Sequence, residues 1–386
     1  MAFISGPDGD LKTAFVSDAW LLDQFVGNTL FVWGYNANGE LGDNTSVNKS
    51  NPVQTIAGGI NWKQTSCGGG TMAIKTDGTL WTTGYNQQYG YLGDNTVISR
   101  SSPVQTATFG TTWKQVSCGY LNASAIKTDG TLWLWGRNSY GLLGDNTTTN
   151  RSSPVQTVAG GTNWKQAAGG RFHTAAIKTD GTLWLWGRGN EGQLGKNTIT
   201  SISSPSQTTA FGTNWKQVNC GYMHTAAIKA DGTLWTWGYN IVGQLGDNTT
   251  TSRSSPVQTV AFGTNWKSVS CGQYNTAAIK TDGTLWTWGR NNYGQLGDNA
   301  IADRSSPVQT VAYGTNWKQV DCGYLHTSAI KADGTLWVWG RNSNGQLGDN
   351  TVANKSSPVQ TTAYGNNWKQ VACGYYHTAA VTNGDL

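Results

Sequence analysis

Thr131-Leu132-Trp133-Leu134-Trp135-Gly136, entered through Asp129-Gly130, alternates so that both tryptophans face one way and both leucines the other. A period of two marks a strand, and the preceding Asp-Gly marks a tight hairpin turn. A strand that is apolar on both faces needs cover on both sides. A β-propeller gives that cover, because each blade is stacked between two others. The stretch is one of a series. A Trp-Lys pair recurs at Trp62, Trp113, Trp164, Trp215, Trp266, Trp317 and Trp368, each 51 residues after the last. A Leu-Gly pair keeps the same step from Leu41 to Leu347. Repetition at such a period overrides the length prior of two or three ordinary domains for 386 residues.

Two more strands are read upstream of the Trp-x-Trp strand in each unit, as at Gln217–Gly221 and His224–Lys229. A fourth is read near Ser255–Thr259, where Pro256 suits an exposed outer edge. Small Ala226-Ala227 fits a strand near the crowded axis, with the bulky tryptophans further out. The chain ends where a repeat would turn into its Leu-Trp-x-Trp-Gly strand, and Thr29–Gly34 supplies that strand at the other terminus. The expected fold is therefore all-β: a seven-bladed propeller of four-stranded blades over residues 27–386, closed by one blade shared between the termini. Sharing a blade removes the exposed sheet edges that invite aggregation. One slip breaks the register. The second unit is a residue short around Gly69-Gly70, and Gln87-Gln88-Tyr89 restores the count before Leu92.

Composition agrees with a folded, turn-rich chain whose core is aromatic: 12% charged residues, 51 glycines and 20 tryptophans. The net charge of +5 is spread evenly, without a basic block, which argues against a nucleic-acid partner. Residues 1–26 form a separate segment, acidic through Asp8, Asp10, Asp18 and Asp23 and apolar through Phe15, Trp20, Leu21 and Phe25. It is read as a cap over the ring or as an anchor to a larger assembly. No secretory signal and no apolar run of membrane-spanning length is read, so synthesis in the cytoplasm is expected.

Leu-Trp-x-Trp-Gly-x-Asn, Gln-Leu-Gly and Cys-Gly-x-x-His-Thr-Ala-Ala-Ile together resemble the repeat of the regulator of chromosome condensation family, over residues 28–386. A kelch unit is of similar length, but its Gly-Gly doublet does not recur here in fixed register. The resemblance implies a seven-bladed propeller. The family's founding member is a nucleotide exchange factor for the small GTPase Ran that also docks on chromatin. Two departures stand against that activity: no repeat carries an inserted wedge, and the basic tail is missing.

No catalytic constellation, cofactor motif or metal-ligand spacing is found. The six cysteines all fall five residues after the repeat tryptophan, without a C-x-x-C pair, so they read as one structural position. His173, His224, His326 and His377 also share one position, held by Asn122 and Asn275 elsewhere; an amide can replace a hydrogen bond there but not a general base. Asp145 and Arg151 read as a local pair, because both are lost together in the unit that has Lys196 and Ile202. Specificity is expected where the copies differ. The candidates are the loop after Cys-Gly, with Tyr120, Phe172, Tyr222, Tyr274, Tyr324 and Tyr375, and the turn before Gly-Gln-Leu-Gly, with Ile241 and Val242. The rings either form a binding rim or pack on the adjacent blade. The chain is thus read as a non-enzymatic binding or structural module that meets a protein partner or larger assembly through residues 1–26 and its variable loops. A virion surface or fibre component is the sharpest form of that reading. Nucleotide exchange or an adaptor role on a small GTPase, and glycan binding through the aromatic loops, are the alternatives.

Overall fold

A computed structural model describes residues 27–384 apart from 58, 109, 209–211, 262, 313 and 364. Its 28 strands form seven four-stranded antiparallel sheets arranged as the blades of a closed ring. In one blade the strands run outward from the axis in chain order: Trp164–Gly169, His173–Lys178, Leu183–Gly187 and Ile202–Gln207. The outer strand is paired only in part. In the blade that starts at Trp215, Thr236 pairs with Val257 and Gly238 with Arg253, and the irregularity between them takes up Ser-Ser-Pro. Pro256, without an N–H to give, sits where no ladder bond is required.

The core lies between blades rather than within them. Ile126, Leu132, Leu134 and Leu143 of one blade close over Trp164, Ala167, Ala176 and Trp186 of the next. Seven such clusters run around the ring, each joining two neighbours. The second tryptophan of the Trp-x-Trp strand is fully buried there, and its indole N–H donates to a carbonyl of the neighbouring blade's loop, as in Trp186 Nε1 to Leu142 O at 2.7 Å. Loss of such a ring costs about 3–5 kcal/mol in a packed core. Gly144, at φ +65°, lets the loop press on that indole: a Cβ there would stand 2.9 Å from Trp186 Nε1. On the opposite end of the ring the first tryptophan is covered by a lysine, Lys178 Nζ lying 4.6 Å from the Trp184 centroid and 4.8 Å from Trp164.

At the axis, inner strands of adjacent blades do not pair as a sheet. A glutamine amide bridges them instead, acting like a peptide group. Gln115 Nε2 donates to Ala167 O at 3.1 Å, while Ala167 N donates to Gln115 Oε1 at 3.2 Å. The last clasp joins the two ends of the chain, with Gln370 bonded to both Thr65 N and Thr65 O at 2.9 Å. The shared blade takes its two inner strands, Trp368–Cys373 and His377–Thr382, from the C-terminus and its two outer strands, Leu30–Gly34 and Lys49–Gln54, from the N-terminus. Leu30 pairs with Val381 and Gly34 with His377.

Candidate functional site

Each blade presents two loops on one face of the ring, one between its inner and second strands and one between its third and outer strands. The second loop is built around one buried asparagine. Asn138 Nδ2 donates to Asp145 Oδ1 at 3.0 Å and to Thr147 O at 3.1 Å, while Leu143 N donates to Asn138 Oδ1 at 2.9 Å. Arg151 then pairs with Asp145 at 2.9 Å, and Arg100, Arg253 and Arg304 repeat the pair. In the divergent unit the asparagine is Gly189, and Lys196 bonds to Ser206 Oγ instead. These aspartates hold loops together, as their joint loss with the basic partner had indicated.

The first loop is pinned by the repeat histidine. His173 Nε2 lies 2.8 Å from Thr225 Oγ1 of the next blade. That hydroxyl donates to Gln193 O at 2.9 Å, so the imidazole supplies the proton between them. Complete burial drives His173, His224 and His326 down to about 3 and His377 to about 4, so all four are neutral near pH 7. Burial pushes the thiols the other way, Cys118 to about 11 and Cys322 to about 12, and all six cysteines are free. Neither group is poised for acid, base or nucleophilic chemistry at neutral pH.

The predicted loop aromatics come together. Tyr120, Arg171, Tyr222, Tyr324 and Tyr375 surround the mouth of the axial channel. Tyr324 and Tyr375 centroids are 3.8 Å apart, Tyr375 and Tyr120 4.7 Å, and the Arg171 guanidinium lies 4.4 Å from Tyr120 and 4.3 Å from Tyr222. Phe172, buried to 7% exposure, meets Tyr222 edge-on at 5.3 Å, and Tyr274 meets Tyr222 at 5.2 Å. Burial raises Tyr274 to about 12, so its phenol stays protonated near pH 7. Ile241 and Val242 stand on the outer loop of the blade that starts at Trp215, Ile241 largely exposed and Val242 N donating to Gln244 Oε1. Phe15, Trp20, Leu21 and Phe25 lie outside the described residues.

Sequence reasoning missed a third set. The residue that follows the glycine closing each third strand is Tyr35, Tyr85, Arg137, Arg188, Tyr239, Arg290 or Arg341, drawn from two residue types only. That restriction was the available signal. Arg290 lies 5.5 Å from the Tyr274 centroid and Arg341 4.9 Å from Tyr376. Of the arginines on this face, Arg188 pairs with Glu191 at 3.6 Å; Arg137, Arg171, Arg290 and Arg341 have no carboxylate partner among the described residues. The face is aromatic and electropositive. It also opens into a cavity of about 660 Å³ beside Gly68-Gly69, lined by Tyr35, Glu40, Tyr85, Arg137, Arg341 and Tyr376 among others.

Comparison with known proteins places this ring. The family model of the RCC1-like domain matches residues 29–380. The ultraviolet-B receptor UVR8 of Arabidopsis thaliana is 33% identical over 341 residues, 86% of this chain and 77% of the receptor. The human E3 ubiquitin-protein ligase HERC2 is 29% identical over 94% of this chain, which spans 8% of that ligase. Among solved structures, Prp20p of Saccharomyces cerevisiae, described together with its binding to Gsp1p and histones, superposes with a TM-score of 0.82 at 20% identity, covering 92% of each chain. That likeness shows the fold. With the family model spanning nearly the whole ring and a relative one-third identical across most of both chains, this chain belongs to the RCC1-like domain family.

Proposed function

We propose that the chain is a non-catalytic binding module whose tyrosine and arginine face receives a protein partner. The observation that carries this reading is the joined patch of six ring side chains flanked by four arginines that have no acid partner among the described residues. Tyrosine and arginine dominate the energetic centres of protein interfaces, because they present large, stiff surfaces with polar ends. The relatives support a binding role: one is named as a receptor, one as a ligase of which this ring matches a small part, and the similar fold of Prp20p is described with protein partners. The test is a binding titration of a partner identified by crosslinking. Tyr222→Ala, Tyr324→Ala and Arg290→Ala should each weaken binding at least about tenfold, or about 1.4 kcal/mol. Lys165→Ala, at the far end of an inner strand, should leave it unchanged. Equal affinities for all four variants would sink the reading.

Two finer readings are proposals of their own. Residues 1–26 anchor the ring to a larger assembly such as a virion surface or fibre; a ring lacking them that still joins its assembly normally refutes this. Exchange on a small GTPase requires accelerated nucleotide release in the presence of the chain, and an unchanged release rate refutes that.

A further inference from the structure

In a ring of near-copies, a site specific to one place must be made by departures from the repeat. Two departures, the loop at Gly68-Gly69 and Glu40, line the 660 Å³ cavity between the shared blade and the blade that starts at Trp62, and two more, Gly70 and Thr83, are buried beside them. The loop Gly68-Gly69-Gly70 is one residue short and carries no aromatic. Gly70 stands where other blades have the buried histidine or asparagine, since it pairs with Gly84 as His173 pairs with Gly187. Thr83 replaces the buried second tryptophan, pairing with Thr71 as Trp186 pairs with Thr174. Glu40 replaces the glutamine found at Gln193, Gln244, Gln295 and Gln346. Three of the changes remove side chain; the fourth puts a carboxyl where the space opens.

The chemistry of the lining is mixed in a definite way. Glu40 is 3% exposed, with Oε2 accepting from Asn38 N at 2.9 Å and Oε1 from Asn38 Nδ2 at 2.8 Å. Burial raises its carboxyl above the usual range. Three of the four arginines that lack a carboxylate partner among the described residues, Arg137, Arg171 and Arg341, line this one cavity. Arg171 Nε is buried with no hydrogen-bond partner among the described residues, while the Nε atoms of Arg137 and Arg341 donate to Ser139 and Ser343 at 3.0 and 2.9 Å, which fixes their planes. Tyr35, Tyr85, Tyr89, Tyr375 and Tyr376 complete the wall. A cationic ligand is disfavoured, because resident guanidiniums already cover Tyr89 and Tyr376. A bare inorganic anion would satisfy the arginines and bring Glu40 no donor beyond the two that Asn38 supplies, leaving the remaining lone pairs of a buried carboxylate unused. The volume falls within the ~300–1,000 Å³ of small-molecule pockets.

We propose that this cavity binds a small acidic sugar: its carboxylate faces Arg137, Arg171 and Arg341, its ring lies on tyrosine faces, and its hydroxyls donate to Glu40. This goes beyond protein capture and does not rest on it; either activity can fail without the other. The test is calorimetric titration of the full chain with glucuronate and N-acetylneuraminate, beside glucose and a short oligoglutamate peptide. The acidic sugars should bind with a Kd in or below the low-millimolar range, and glucose at least about tenfold more weakly. Arg341→Gln and Glu40→Gln should each weaken acidic-sugar binding at least about fivefold. Glu40→Gln should keep the wild-type melting temperature, since glutamine fills this position in four other units. The proposal is overturned by any of three results: no binding of either acidic sugar at about 10 mM, glucose binding as well as they do, or the peptide binding while the sugars do not. Unchanged affinity in both variants, each melting as wild type, would also overturn it.

Discussion

Asp321 occupies an inner-strand position held elsewhere by Ser66, Ser117, Ala168, Asn219, Ser270 and Ala372, so a carboxyl faces the axial channel in one blade only. Its Oδ2 accepts from Cys373 N at 2.7 Å and its Oδ1 from Ser270 Oγ at 2.9 Å, yet burial outweighs these bonds and raises it to about 6. The folded state therefore holds this proton more tightly than the unfolded chain, where the group titrates near 3.9. The stabilisation that follows is complete below about pH 4 and is lost as pH rises through about 6. At pH 7 the charged carboxylate should cost about 1–2 kcal/mol once screening by channel solvent is allowed for. Asn219 shows that an amide fits the position, because its Oδ1 accepts from Cys271 N at 2.9 Å. Asp321→Asn should then raise the unfolding free energy by that amount at pH 7, with the gain vanishing near pH 4. Urea melts at the two pH values measure it, and a gain independent of pH would remove burial as the cause.

At the scale of elements, the inner strands carry a regularity that the alternation of tryptophan and leucine does not announce. Gln64, Gln115, Gln166, Gln217, Gln319 and Gln370 each clasp the next blade. The remaining unit has Ser268, whose hydroxyl is buried without a partner among the described residues. Ser268→Gln should form the missing bridge to Val320 and stabilise the ring by about 1 kcal/mol, seen as a higher urea midpoint at unchanged m-value. A neutral or lower midpoint would show that the local spacing of these two blades forbids the clasp. In the sequence these glutamines read as ordinary polar strand positions, since a two-residue period reports which face a side chain takes and not that a neighbouring blade lies within reach. The third strand was legible because both of its faces are apolar, as Leu134 and Trp135 show. The aromatic loops were legible as variation. Arg137, Arg188, Arg290 and Arg341 escaped notice because they follow the most constant motif of the repeat. The cavity was visible only as a one-residue slip at Gly69. Glu40 and Tyr376, which line it together, stand at opposite ends of the chain and meet only through closure.

Closure is the property of the whole molecule on which the site depends, and it can be separated from blade packing. The ends of the described chain touch: Thr382 N donates to Thr29 O at 3.0 Å and Gly384 N to Asn28 Oδ1 at 3.0 Å. Joining residue 384 to residue 27 and opening the chain between Gly160 and Gly161 gives a permutant in which every blade is continuous. The opening is sterically free, since nothing lies within 4 Å of a Cβ built on Gly160. The interblade clusters and glutamine clasps all remain available in the permutant, so it should fold to the same seven blades. Parting the native ends, however, requires stripping Leu30–Gly34 from His377–Thr382, a ladder registered from Leu30↔Val381 to Gly34↔His377. Parting the permutant's ends separates interblade contacts, among them the cluster around Trp164, the clasp between Gln115 and Ala167 and the bond from Trp186 Nε1 to Leu142 O, but breaks no strand ladder and leaves every sheet whole. Local opening at that seam should therefore fall below global unfolding in free energy. Hydrogen exchange at the amide of Ala167 should be at least about tenfold faster in the permutant than in the unpermuted ring of residues 27–384, a difference of about 1.4 kcal/mol. Exchange at Ala379 N, in the continuous blade, should not speed up more than the global stability change dictates. Equal protection at Ala167 in both rings would mean that interblade packing alone closes the propeller and that the shared blade adds nothing to it.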